Sequence, residues 1–281
     1  MVYRLLALDV DGTILRSNHR LDKKLKEAIE YVKRKGVYVT LATRRHFASA
    51  KKIAKALKLD TMLITHNGAF VSKDVDEPWL EYRISAEDVA GITKLLESCQ
   101  CHVRIKHERF SLANRVKKNQ ELIAQMTIGD PLFYPIHFSD ELHEYVNASP
   151  VSPLQIEAFF NSEEEANALK EEVLKRFPAY DVFLYDGKRM EIVRRNVSKG
   201  RALLKLADHL QIDKKEIVAV GDSVADIDML KNAGLGVAMG NAPREVKECA
   251  DWITRSNDQN GVEYMAKEVF RKQLRVQIRS L

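Results

Sequence analysis

The chain has 281 residues, 45% of them hydrophobic and 30% charged, which gives it enough apolar material for a sizeable core and for two domains. Its formal charge of +5 is small for this length and its basic residues are scattered, so nucleic acid is not indicated as a partner. No apolar run approaches the roughly eighteen residues of a membrane span, and Met1 leads into Val2 without a cleavable leader. We therefore expect a cytoplasmic protein with no membrane partner.

Strands and helices are predicted to alternate from the N-terminus. Residues 5–10 form an almost unbroken apolar run, as in a strand that is buried on both faces of a parallel sheet. Residues 21–35 have the apolar spacing of a helix and end before Gly36. The same pattern predicts a strand over 37–42, a helix over 48–59 and a strand over 61–65.

The alternation returns late in the chain. Helices are predicted over 198–210, 226–233, 243–250 and from 262 onward, with strands over 217–220, 236–239 and 252–254. The fold class predicted is α/β, with a Rossmann-like parallel-sheet core that is split in sequence into residues 1–82 and 191–281. The most basic stretch, which contains Arg271, Lys272, Arg275 and Arg279, is interpreted as the solvated face of the last helix.

Residues 83–190 differ from both flanks. Helices are predicted over 86–98 and 163–177, and residues 102–106 and 154–159 alternate between polar and apolar side chains. Such alternation is typical of half-exposed antiparallel strands. This region is predicted to be an inserted α+β domain. Its aromatic segment, 133–138, is more typical of a packed loop than of a substrate contact.

The strongest chemical signal is a pair of carboxylates, Asp9 and Asp11, at the end of the first apolar run. Ligands of open α/β sheets bind beyond the carboxyl ends of strands. Two carboxylates at this position repel each other unless a cation or a shared proton intervenes. An acidic turn would explain Asp11 and Gly12, but it does not explain Asp9 at the end of a buried strand.

Further motifs follow at other predicted strand ends. After Asp9-Val-Asp11-Gly-Thr13 they are, in chain order, Leu41-Ala-Thr-Arg-Arg45, Asn67-Gly-Ala69, Val197-Ser-Lys-Gly200, Gly221-Asp-Ser-Val-Ala-Asp226, Gly240-Asn241-Ala242 and Asp258-Gln-Asn-Gly-Val262. In this order they resemble the haloacid dehalogenase superfamily, in its Cof-like branch with a class IIB cap. The resemblance extends over the whole chain and implies a phosphatase in which 83–190 is the cap that selects the substrate.

The resemblance also implies roles for individual residues. Asp9 is the expected nucleophile and Asp11 the expected general acid and base, while Thr43 and Lys199 hold the phosphoryl oxygens. Mg²⁺ is the expected cofactor, bound by Asp9, Asp222 and the Asp11 carbonyl, with Asp226 behind these ligands or in contact through water. The expected phosphate-binding and substrate-binding residues are Gly12, Thr43, Arg44, Arg45, Asn67, Gly68, Lys199 and Asn241.

Two positions depart from the family pattern, which has Gly in place of Arg44 and Asn in place of Ala225. They keep open a catalytically weakened regulator that binds a phosphometabolite. A phosphosugar mutase or other phosphotransferase is the nearest enzymatic alternative. A dehydrogenase is disfavoured because residues 234–240 miss the dinucleotide-binding fingerprint. The expected substrate is a sugar phosphate or a phosphorylated cofactor, and the expected assembly is a monomer or small homo-oligomer.

Overall fold

A computed structural model describes residues 2–115 and 134–276 of the chain. Two compact units can be distinguished by their internal contacts. Unit 1 comprises Met1–Arg44, Ala50–Asp74 and Ser198–Leu281, and unit 2 comprises Arg45–Ser49 and Val75–Val197. Within the two described ranges, no helix is long and apolar enough to cross a membrane.

Unit 1 is built on a five-stranded sheet in which every pairing is parallel. Its strands stand in the order β14-β13-β12-β1-β2, namely Trp252–Ile253, Leu235–Ala238, Ile217–Gly221, Leu5–Leu8 and Tyr38–Leu41. β1 lies between β12 and β2, and its four residues are buried. The predicted α/β fold class with a split parallel sheet is confirmed.

Six helices accompany this sheet within the described residues. They are α1 (Lys23–Arg34), α2 (Phe47–Ala56), α6 (Lys199–His209), α7 (Ile227–Asn232), α8 (Arg244–Glu248) and α9 (Gly261–Phe270). The α1 helix begins after Asp22, whose side chain accepts a hydrogen bond from the backbone N–H of Lys24. The α6 helix begins after Ser198, whose hydroxyl oxygen accepts a hydrogen bond from the backbone N–H of Arg201.

Two predicted elements of unit 1 have features that the prediction lacked. The helix predicted over 226–233 is confirmed as α7, and a 3₁₀ turn, Val224–Asp226, precedes it where Ser223 and Asp226 form a capping box. The strand predicted over 61–65 is β3 (Leu63–Thr65), which pairs antiparallel with β4 (Phe70–Ser72) outside the five-stranded sheet.

The end of the chain also differs from the prediction. The helix α9 ends at Phe270. Beyond it, the Gln273 amide group accepts a hydrogen bond from the backbone N–H of Tyr3 and donates one to the Tyr3 carbonyl, both at 2.8 Å. Arg271, Lys272 and Arg275 therefore follow the helix, so their interpretation as its solvated face is wrong. Arg279 lies outside the described residues.

Unit 2 contains a six-stranded sheet in the order β10-β11-β9-β6-β7-β8. The β7–β8 pair is parallel and the other pairs are antiparallel. The six strands of this sheet are β6 (His102–Lys106), β7 (Ser111–Asn114), β8 (Ile136–Ser139), β9 (Gln155–Phe159), β10 (Tyr180–Tyr185) and β11 (Arg189–Arg194). Unit 2 also contains the short strand β5 (Leu80–Glu81), which lies outside this sheet. Its helices are α3 (Ala86–Glu97), α4 (Leu142–Ala148) and α5 (Glu163–Arg176).

The apolar face of this sheet belongs to the core of unit 2. Val103 and Ile105 of β6 and Ile156 of β9 are fully buried in one cluster with Val89 and Ile92 of α3. The prediction that β6 and β9 are half-exposed is wrong, because their polar residues are at most 1% exposed. In the aromatic segment, Phe133 lies outside the described residues, and Tyr134 is buried and stacks on His46 with ring centroids 3.6 Å apart.

Candidate active site

Three adjacent strands of unit 1 bring polar side chains to one edge of the sheet. Asp222 directly follows β12, Asp9 directly follows β1, and Thr43 lies two residues after β2. The backbone N–H of Asp9 donates to the Val220 carbonyl at 3.0 Å, which continues the pairing of β1 with β12. A cavity of about 290 Å³ opens here, lined by Asp9, Asp11, Gly12, Thr43, Arg44, Asp222 and Ser223.

The loop after β1 requires glycine at position 12. Gly12 has φ +76°, in the left-handed region that residues with a Cβ rarely adopt. A Cβ at this position would lie 2.1 Å from Oδ2 of Asp222. On the next residue, the Thr13 hydroxyl donates to Oδ1 of Asp222 at 2.8 Å. The loop thus fixes the Asp222 carboxylate from two sides.

Asp226 organises the loop after β12. Its Oδ2 accepts hydrogen bonds from the backbone N–H groups of Asp222 and Ser223 and from the Ser223 hydroxyl, at 2.9–3.1 Å. Ser223 also lines the cavity, although the sequence analysis assigned it no role. The Ser-x-x-Asp spacing from Ser223 to Asp226 is the capping-box signature that could have identified it.

Lys199, the first residue of α6, is 1% exposed and links two carboxylates. Its ammonium donates to Oδ1 of Asp9 at 2.6 Å and to Oδ1 of Asp226 at 2.7 Å. Burial opposes the charged ammonium, but Asp226 and Asp9 outweigh burial and raise the pKa of Lys199 above its ordinary value. Lys199 is therefore held as a cation beside Asp9.

The carboxylates of this site carry more negative charge than Lys199 balances. Burial, followed by the charge of Asp226, raises the pKa of Asp9 well above its ordinary value, and Lys199 opposes that shift. Burial and then Asp226 raise the pKa of Asp222 to about 6. Oxygens of Asp9, Asp222 and Asp226 lie within 4.8 Å of one another, a spacing at which one metal ion can bind all three groups. An oxygen-only set with excess negative charge fits a hard divalent cation such as Mg²⁺.

Asn241 lies beside the metal-binding carboxylates predicted from the sequence. Its amide group donates to the Gly12 carbonyl at 2.9 Å and to Oδ2 of Asp222 at 3.4 Å. Its Oδ1 accepts from the backbone N–H of Asn257 at 3.0 Å. Asn241 thus connects the loops after β1 and β12 with the 3₁₀ turn Asn257–Gln259.

Asn67 and Gly68 support the site from the loop after β3. Asn67 is buried and has a left-handed backbone conformation, with φ +57°. Its backbone N–H donates to the Thr43 carbonyl at 3.1 Å. A Cβ on Gly68 would lie 2.3 Å from the Ser198 carbonyl oxygen, so glycine permits close packing at the start of α6. Arg45 belongs to unit 2, where its guanidinium donates to the Ser49 hydroxyl at 2.9 Å.

The two departures from the family pattern have different surroundings. Arg44 lines the cavity, next in sequence to Thr43. Ala225 lies in the 3₁₀ turn Val224–Asp226 and provides no polar side chain there. Their effect on catalysis stays a prediction.

Comparison with known proteins identifies the family. The sequence model of the haloacid dehalogenase-like hydrolase family matches residues 6–265 of this chain. The chain belongs to this family of enzymes. The stress response protein YhaX of Bacillus subtilis is 46% identical, over 98% of this chain and 96% of its own. The 5-amino-6-(5-phospho-D-ribitylamino)uracil phosphatase YcsE of the same organism is 30% identical, over 92% of each chain.

A solved structure supports the same assignment. A haloacid dehalogenase-like hydrolase from B. subtilis superposes with a TM-score of 0.82 at 26% identity, over 95% of this chain and 99% of the other. The predicted family, fold class and enzyme class are therefore confirmed, and the relatives include proteins named phosphatases.

Proposed function

We propose that this chain is a Mg²⁺-dependent phosphatase that hydrolyses a small phosphorylated metabolite through a phosphoryl group carried on Asp9. The observation that carries the proposal is the position of Asp9, which is buried directly after β1, lines the cavity and is bonded to Lys199. A carboxylate nucleophile divides phosphate ester hydrolysis into two easier steps.

In the first step, a carboxylate oxygen of Asp9 attacks phosphorus and the bond to the leaving alcohol oxygen breaks. Asp11, two residues along the same loop and on the same cavity, donates a proton to that oxygen. In the second step, Asp11 accepts a proton from water, the water oxygen attacks phosphorus, and the Asp9 carboxylate leaves. Lys199 and the Thr43 hydroxyl stabilise the charge on the phosphoryl oxygens in both steps.

The residues proposed to hold Mg²⁺ are the Asp9 and Asp222 carboxylates and the Asp11 carbonyl. Both oxygens of Asp226 already accept hydrogen bonds, Oδ1 from Lys199 and Oδ2 from the loop, which favours Asp226 as a supporting residue. When bound, the metal reduces the repulsion between an anionic nucleophile and an anionic phosphate. Thr13 and Asn241 hold the Asp222 carboxylate in place.

The substrate class rests on the relatives and on unit 2. YcsE is named for a phosphorylated ribitylamino-uracil, a small metabolite on the scale of a sugar phosphate or cofactor precursor. We propose that residues 83–190 act as a cap that selects among such molecules. The cytoplasmic location expected from the sequence belongs to the same proposal.

A regulator that binds a phosphometabolite is the second candidate function, and Ala225 is the observation that favours it.

The test is release of inorganic phosphate from p-nitrophenyl phosphate and from a panel of phosphorylated metabolites, with Mg²⁺ and with EDTA. We expect Mg²⁺-dependent release by the natural chain and loss of essentially all activity in Asp9→Asn, because an amide is not a nucleophile. Formation of a transferred phosphate ester in place of inorganic phosphate would favour the phosphotransferase. Tight binding without any turnover would favour the regulator.

A further inference from the structure

Residues 257–260 of unit 1, here called the closing segment, have no part in the chemistry proposed for Asp9 and Asp11. The closing segment consists of the 3₁₀ turn Asn257–Gln259 and of Asn260, whose backbone is left-handed with φ +58°. Asparagine adopts this conformation at a lower cost than most residues. The closing segment overlaps the motif found in the sequence over residues 258–262, so its contacts show what that motif does in unit 1.

Side-chain hydrogen bonds join the closing segment to residues 15–17, which follow the active-site loop after β1. They run from Nδ2 of Asn257 to the Leu15 carbonyl at 2.9 Å, from Nη2 of Arg16 to Oδ1 of Asn260 at 2.9 Å, and from the Ser17 hydroxyl to Oδ2 of Asp258 at 2.6 Å. The closing segment is therefore held against the part of the chain that leaves the active site.

The backbone N–H of Asn257 fixes the direction in which the Asn241 amide group faces. An asparagine amide has an acceptor end and a donor end, and half a turn of the group exchanges them. Oδ1 of Asn241 accepts from the Asn257 N–H at 3.0 Å, so its Nδ2 faces the Gly12 carbonyl oxygen at 2.9 Å. In the reversed orientation, two oxygens would meet at Gly12 and two N–H groups at Asn257, and neither pair can form a hydrogen bond. Asn257 therefore selects the orientation in which Asn241 donates.

In this orientation Asn241 spans the two loops that carry the proposed Mg²⁺ ligands. Its Nδ2 also donates to Oδ2 of Asp222 at 3.4 Å, in the loop after β12. Gly12, in the loop after β1, directly follows Asp11, whose carbonyl is a proposed ligand. Groups that hold metal ligands from behind fix the orientation of those ligands, and their loss typically costs about 10–100-fold in metal affinity or activity.

We propose that the closing segment positions the metal site, because the Asn257 N–H orients the Asn241 amide and Asn241 holds Gly12 and Asp222 at the spacing that Mg²⁺ binding requires. This inference rests on the proposed function, in which Asp222 binds the metal. Asn241 and Asn257 are positioning residues that touch neither substrate nor metal. The family resemblance implies a phosphate-binding role for Asn241 instead.

Calorimetric titration of the metal-free protein with Mg²⁺, without any phosphate compound present, measures the effect on metal binding. Asn241→Leu removes the amide group and keeps a side chain of similar size. We expect the Kd for Mg²⁺ to rise by about ten-fold or more. An unchanged Kd would overturn the inference, and a higher KM for substrate in the same variant would then identify Asn241 as a phosphate-binding residue.

Two substitutions of Asn257 isolate its backbone N–H. Asn257→Ala removes the side-chain bond to Leu15 and keeps the N–H, whereas Asn257→Pro removes both. Proline suits this position, because Asn257 begins a 3₁₀ turn and Ser256 before it is extended, with ψ 165°. We expect the Kd for Mg²⁺ to be several-fold higher in Asn257→Pro than in Asn257→Ala. Equal Kd values in these two variants would contradict the orienting role.

Double variants show whether the N–H acts through Asn241. When each Asn257 substitution is combined with Asn241→Leu, there is no amide group to orient, so the two double variants should have the same Kd. A difference that persists would show that Asn257 acts on the loops by another route and would overturn the inference. The matched control is Lys214→Pro, at the first residue of another 3₁₀ turn of unit 1 and after the extended Asp213, which should keep the natural Kd.

Failure of the inference can be told apart from failure of the proposed function. The Tm of each variant with EDTA shows whether it folds, and Asn241→Leu decides the inference if Asn257→Pro does not fold. Equal Mg²⁺ binding by the natural chain and by Asn241→Leu would refute the positioning role alone. A natural chain that neither binds Mg²⁺ nor releases phosphate would refute the proposed function and the positioning role with it.

Discussion

The two units each bury a charged cluster, and the two clusters have opposite signs. In unit 1, three carboxylates, Asp9, Asp222 and Asp226, surround the single cation Lys199. In unit 2, three cations, Arg104, Lys106 and Arg189, surround Glu157. A buried charge excess is costly without a counter-charge. Asp9 and Asp222 of the first cluster line a cavity, whereas the cations of the second are paired with Glu157 within one sheet. The comparison therefore separates a charged cluster that lines a cavity from one that holds strands together.

The largest expected effect comes from substituting Asp11, because this substitution removes acid–base chemistry but keeps the backbone carbonyl proposed to bind the metal. Asp11→Asn should lower kcat by about 10²–10⁴-fold, the scale of general acid–base catalysis. Its backbone carbonyl is unchanged, so the Mg²⁺ concentration for half-maximal activity should stay within a few-fold of the natural value. Loss of Mg²⁺ dependence with no separate effect on kcat would show that Asp11 has another role.

The positive cluster is broken most directly by Glu157→Gln. This substitution keeps the shape of the side chain but leaves the buried Arg104 and Lys106 and the partly exposed Arg189 without their shared carboxylate. We expect the free energy of unfolding to fall by about 3–5 kcal/mol, as when one partner of a buried ion pair is removed. Urea denaturation followed by circular dichroism measures the change. The matched control is Glu164→Gln on the exposed side of α5, which should change little.

A smaller effect is expected where this chain departs from its family. Ala225→Asn adds an amide group that can bond to a phosphate oxygen or a metal-bound water. We expect kcat/KM to rise by about ten-fold, the scale of a hydrogen bond to a charged partner. If Arg44 already occupies that space, only the double variant with Arg44→Gly should show the gain. A coupling well above about 0.5 kcal/mol in the mutant cycle would show that the two departures compensate each other.

The smallest effect is a pH dependence of stability in the metal-free protein. The pKa of Asp222 is raised to about 6 in the folded state, so folding favours its protonated form. Stability from this group is present below its unfolded pKa and is lost as the pH rises through about 6. With EDTA, the Tm of the natural chain relative to that of Asp222→Asn should therefore fall between pH 4 and pH 7. Parallel Tm curves for the two proteins would contradict the shift.

Both clusters show how far sequence reasoning extends. Asp9, Thr43 and Asp222 could be placed together because each follows a predicted parallel strand, and parallel strands end at one edge of a sheet. Arg104 and Glu157 could not be placed together from the sequence. Polar and apolar residues alternate in the same way whether the polar face of a strand contacts water or a buried ion network. Their pairing depends on the β6–β9 register, which joins residues about fifty positions apart.

Local chemistry accounts for finer features. The helix predicted over 226–233 begins at Ile227, and the capping box between Ser223 and Asp226 forms the 3₁₀ turn that precedes it. The last helix was predicted too long because its apolar spacing does not reveal the bonds between Gln273 and Tyr3, which lie at opposite ends of the chain.

The proposal that Asp9 carries the phosphoryl group is tested most directly by mass spectrometry of the protein after acid quenching during turnover. With substrate and Mg²⁺, the peptide that contains Asp9 should gain the mass of one phosphoryl group, and fragmentation should place it on Asp9. The label should disappear once the substrate is consumed and should be absent in Asp9→Asn. Full turnover with an unmodified Asp9 peptide at every quench time, or a phosphoryl group on another residue, would contradict the mechanism.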